Sequence, residues 1–179
     1  MYPDCFVTYV PGPNLFRGWK LATTVARTAR VTPGVSHTKS MNEPYTHLDG
    51  RTLESCHFDP DTKQWVFIFS GPVALQVSAP WRVVSQGRIY LGYQDDRHLF
   101  GSTKPLNAAQ RLEAVIIGRQ VVAATLSATA DLAVIFPGAS TLEIFNSSGG
   151  YEGWQINGPG KRWVVGMGGG AVSESRDDG

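Results

Sequence analysis

From Met41 onward, apolar residues come in short runs that either alternate with polar ones or form brief continuous stretches. Each run is closed by glycine, asparagine, aspartate or proline. This is the period of β-strands separated by turns. A turn at Asp49-Gly50 leads into a strand through LESCHF, and a turn-rich DPDTKQ precedes the apolar run WVFIF. After SGP the chain returns as VALQVSAPW, with Val73, Leu75 and Val77 on one face. Trp81–Val84, the SQG turn and RIYLGY continue the series. Further strands are predicted at Arg119–Leu126, Leu132–Phe136, Thr141–Phe145, Gly153–Ile156 and Arg162–Val165. One segment has helical spacing instead. Asn107 is a good N-cap with Gln110 three residues on, Leu112, Val115 and Ile116 share a face, and Gly118 suits a left-handed C-terminus. A single amphipathic helix over residues 108–117 is the expectation.

The pattern occurs twice. Leu48-Asp49-Gly50-Arg51 aligns with Ile116-Ile117-Gly118-Arg119 at an offset of 68 residues, and WVFIF aligns with LAVIF at 67. Gly71 then matches Gly138, and Leu75-Gln76-Val77 matches Leu142-Glu143-Ile144. Trp81-Arg82-Val83 faces Trp154-Gln155-Ile156, and RIYLG faces RWVVG, after an insertion, NSSGGYEG, in the second copy. The expected architecture is mainly β. Two tandem pseudo-symmetric antiparallel β-meander repeats, about 48–95 and 116–170, stack their apolar faces as a sandwich or half-open barrel.

Composition changes this picture at the ends. Before Met41 the chain carries Arg17, Lys20, Arg27, Arg30 and Lys39 against Asp4 alone, whereas the rest has 11 basic and 14 acidic residues. Residues 1–40 therefore read as a poorly ordered basic extension, 41–172 as one β-rich domain and 173–179 as a solvated acidic tail. A formal net charge of +1 gives no general electrostatic case for nucleic acid. No apolar run is long enough for a membrane helix. The two cysteines, Cys5 and Cys56, form no framework, and no signal-peptide layout opens the chain. The expected compartment is the cytoplasm.

The candidate chemistry is sparse. The inserted loop Asn146–Trp154 combines paired glycines with Tyr151, Glu152 and Trp154, and pseudo-symmetry adds Trp81 and Arg82. These five residues are the candidate partner-binding set, although Trp154 and Trp81 also fit a core. Asp95, Asp96 and His98 in QDDRH are metal-ligand types that need further members from elsewhere. Cys56 and His57 are adjacent on a strand and so point to opposite faces, which argues against a nucleophile–base pair. Gly101–Lys104 and Gly158–Arg162 lack phosphate-loop spacing. No cofactor is expected.

The run DLAVIFPGASTLEIFNSSGGYEGWQINGPGKRWVVGMGGG, with APWRVVSQGRIYLGYQDD and HLFG upstream, resembles the small bacterial domain family of unknown function numbered 6188. The resemblance covers about residues 41–172. It carries no catalytic residue and implies a setting among immunity and phage–host conflict proteins. The leading expectation is a non-enzymatic binding protein that sequesters a protein partner. A sponge for a small molecule such as a signalling nucleotide, in a pocket between the repeats or at a homodimer interface, stays open. So does a metal-dependent hydrolase using the Asp95, Asp96 and His98 loop.

Overall fold

The computed structural model describes residues 47–159 and 162–175. The basic extension expected over residues 1–40 lies outside them, as does the end of the acidic tail. Among the described residues eleven strands form two antiparallel sheets, and neither closes into a barrel. In chain order they are β1 Leu53–Asp59, β2 Gln64–Phe69, β3 Val73–Val77, β4 Trp81–Ser85 and β5 Arg88–Gly92. The second half supplies β6 Ala123–Leu126, β7 Leu132–Phe136, β8 Ser140–Ile144, β9 Trp154–Asn157, β10 Trp163–Gly166 and β11 Val172–Ser175. The one α-helix among the described residues, α1 Ala108–Glu113, lies between β5 and β6.

The strand order shows how the halves combine. One sheet runs β1-β2-β3-β9-β10-β11 and the other β5-β4-β8-β7-β6. Each half therefore places its first three strands in one sheet and sends the rest into the other, β4 and β5 from the first half and β9, β10 and β11 from the second. The sequence pattern suggested two separate meanders stacked face to face. The observed fold exchanges strands instead: Ser78-Ala79-Pro80 carries the chain from β3 into β4 of the other sheet, and residues 145–153 carry it back from β8 to β9.

The pseudo-two-fold holds at the level of register. Val77 pairs with Trp154 in one sheet and Ile144 with Trp81 in the other. Likewise Leu75 faces Ile156 as Leu142 faces Val83, and Phe58 faces Trp65 as Leu126 faces Leu132. The Gly-Arg segments meet near the axis. Gly50 N donates to Val121 O (3.0 Å) and Gly118 N to Leu53 O (2.7 Å), around an isolated bridge between Thr52 and Gln120. Each arginine reaches the following glycine turn: Arg51 Nη1 donates to Ser70 O (2.8 Å) and Arg119 Nη1 to Pro137 O (3.3 Å). Gly71 and Gly138 adopt φ of 72° and 77°, a left-handed conformation that glycine takes without strain.

Alternation along β3, β7 and β8 turns every second side chain into one core shared by the two sheets. Trp81 and Trp154 are buried in it, each 1% exposed. Trp81 meets Trp65 and Phe67 edge-on, at centroid distances of 5.1 and 5.5 Å. α1 inserts Ala108 and Leu112 into the same core. It ends earlier than the expected 108–117, because residues 114–118 wind into turns and Gly118 joins β1 by its bond to Leu53 O. A second difference lies at the C-terminal end. Residues 172–175, counted mostly with a solvated tail, form β11 on the outer edge of β10.

Candidate functional site

The inserted loop lies where β8 crosses to β9, and two other loops support it from below. Asp131 Oδ1 accepts from Asn146 N (2.8 Å), which fixes the start of the loop. The Asn146 side chain is buried and its Nδ2 donates to Thr129 O (3.2 Å) and Met167 O (2.7 Å). Ser148 Oγ accepts from Gly150 N and Tyr151 N, while Gly169 N donates to Ser148 O (2.9 Å). The backbones of Gly150 and Gly168 are close enough that a Cβ on Gly168 would come within 2.5 Å of Gly150 N and C. At the far end Ser78 Oγ donates to Glu152 O (2.8 Å), and Ser78 N and Ala79 N both donate to Gly153 O.

This framework separates the five candidate contact residues. Tyr151 stands at the tip, 83% exposed, with exposed Glu152 beside it. Trp154 and Trp81 take no part in that surface. Both indoles face the core, and Trp154 Nε1 donates to Ala130 O (2.8 Å). The physical reason is the period of two: each tryptophan opens a strand at an inward position, paired with an inward residue of the neighbouring strand. Arg82, next along β4, points outward. It forms an ion pair with Glu143 on β8 (2.6 Å) and lies over the Phe145 ring at 5.0 Å. A groove of about 430 Å³ beside this pair runs to Asp131, the residue that anchors the loop.

The metal-ligand candidates are engaged elsewhere. Asp95 Oδ2 accepts from Gly92 N (2.8 Å), closing the turn after β5, and Asp96 Oδ1 accepts from Ala108 N (2.9 Å) at the start of α1. The His98 ring lies 5.7 Å from that of Phe100. Among the described residues, no three histidines, cysteines or acids are grouped to hold a metal ion. Cys56 is buried, and its thiol pKa is pushed up to about 12 by desolvation, with Glu113 and Asp96 adding to the effect. His57 faces outward on the same strand. A protonated, buried thiol is a poor nucleophile.

The loop's foundation in residues 127–131 and 167–170 carries no recognisable motif. Its only trace was the glycine run Gly168–Gly170, readable as a turn. Comparisons with protein-family models, curated proteins and solved structures return no match. Among the described residues, no helix is long and apolar enough to cross a membrane.

Proposed function

We propose that this protein acts by binding and sequestering a protein partner, in the manner of an immunity or anti-defence protein, and that Tyr151 and Glu152 lie at the centre of the contact. One observation carries the reading: an 83% exposed tyrosine on a loop whose backbone is tied at both ends and in the middle. Surface tyrosines cost little rotamer entropy on binding and are frequent anchors of interfaces. A loop already held in place loses less freedom when a partner docks. The neighbouring Arg82–Glu143 groove offers a polar rim of the kind that surrounds such anchors. The conflict setting rests on the family resemblance.

The reading is tested by using the protein as bait in bacterial lysate, with Tyr151→Ala and Glu152→Lys variants in parallel. A specific partner should be recovered by the wild type and reduced at least about tenfold by Tyr151→Ala, with unchanged thermal stability. A partner retained equally by both variants would place the contact elsewhere and refute the assignment.

A further inference from the structure

The two repeats enclose two related clefts, and they have diverged. In the first half's cleft, Arg51 beside the β2–β3 turn faces Arg162, the residue leading into β10. The equivalent cleft of the second half pairs Arg119, beside the β7–β8 turn, with Arg88, the residue that opens β5. The first measures about 200 Å³ and has Asp49 in its wall. Its arginine is also consumed by structure, since Arg51 Nε donates to His47 O (2.8 Å) and Nη1 to Ser70 O (2.8 Å).

The second cleft measures about 550 Å³, within the range of small-molecule pockets, and among the described residues no carboxylate lines it. Among the described residues the Arg119 side chain has a single long bond, to Pro137 O (3.3 Å), and Arg88 is exposed. A third guanidinium, that of Arg111 on α1, lies 5.0 Å above the ring of Tyr90, which also lines the cleft. Among the described residues, no acid lies within ion-pair distance of these three arginines, whereas Arg82 and Arg97 each have a partner. Like charges gathered without a counter-ion repel one another, and a bound anion would relieve that. Ile89, 64% exposed, and Val115 add apolar wall beside the charge.

We infer that the cleft between β5, α1 and the β7–β8 turn binds the phosphate group of a small organic phosphate, with Arg88 and Arg119 as its ligands. Planar guanidinium forks match phosphate oxygens in paired hydrogen bonds. Ile89 and Val115 would take the organic part. The site is separate from the Tyr151 loop and does not depend on it.

The test is a calorimetric and NMR titration of the full chain with inorganic phosphate, phenyl phosphate and adenosine 5′-monophosphate at matched ionic strength. At least one organic phosphate should bind at least about tenfold more tightly than inorganic phosphate and shift the Ile89 and Val115 methyl signals. Arg88→Gln, an exposed change, should weaken that binding at least about tenfold, and Arg119→Gln should do the same. Arg162→Gln in the sister cleft should leave it unchanged. Three results would overturn the proposal: no organic phosphate preferred over inorganic phosphate, no shift of the two methyls, or equal losses from Arg88→Gln and Arg162→Gln.

Discussion

Trp81 and Trp154 occupy equivalent places in the two repeats, yet their indole N–H groups differ. Trp154 Nε1 has Ala130 O as acceptor, while Trp81 Nε1 is buried without a partner among the described residues. Trp154→Phe strands a carbonyl and loses volume, whereas Trp81→Phe loses volume but removes an unpaired donor. Urea denaturation should therefore find Trp154→Phe the more destabilising, by roughly 1–3 kcal/mol. Equal losses would mean that the Trp81 donor is satisfied in solution. Cys56 offers a pH test. Its native pKa of about 12 lies above the usual 9.0, so the folded state holds the proton more tightly than the unfolded state. The resulting stabilisation is complete below about pH 9 and is lost as pH rises toward 12. In a Cys5→Ser background, thiol labelling at pH 8 should be slow in the folded protein and fast in urea. Rapid native labelling would contradict the burial.

At the scale of elements, α1 is short but well placed. Asn107 Oδ1 accepts from Gln110 N (3.0 Å), and Leu112 is fully buried. Leu112→Ala should cost about 2–5 kcal/mol and Asn107→Ala about 1 kcal/mol, measured by chemical denaturation. The N-cap and the apolar stripe were legible because both are local. The helix end was not, because a distant acceptor, Leu53 O, captures Gly118 N. The same division runs through the strands. Those with clean alternation, such as VALQV and TLEI, were legible to within a residue or two, while β11 (VSES) has no apolar period and exists through its pairing with β10. At the candidate site the sequence pointed to Tyr151 and Glu152, since an aromatic and an acid beside paired glycines need no core. It could not separate Trp154 from them, because inward or outward direction is set by register with β3.

For the whole molecule, the exchange of strands between halves has an energetic consequence. A meander of three strands, β1 to β3, would leave β3 without β9 as neighbour and Phe67, Leu75 and Val77 open to water. The same holds for β6 to β8 without β4. Burying an aromatic or large aliphatic side chain contributes roughly 1.5–3 kcal/mol, so each half alone forfeits most of its core. The two repeats follow one plan, and each relies on strands of the other to complete the sheet that covers its core. Cutting the chain in the polar loop between Leu99 and Lys104 gives two fragments that test this. Each should show little chemical-shift dispersion in isolation. Mixed at equal concentration, they should recover the dispersed spectrum and a cooperative thermal transition, because the β3–β9 and β4–β8 ladders both join one fragment to the other. A fragment that folds alone, with its tryptophans buried, would show that the repeats associate as finished domains and that the exchange is secondary. Reconstitution would show that the central ladders and the core behind them form together.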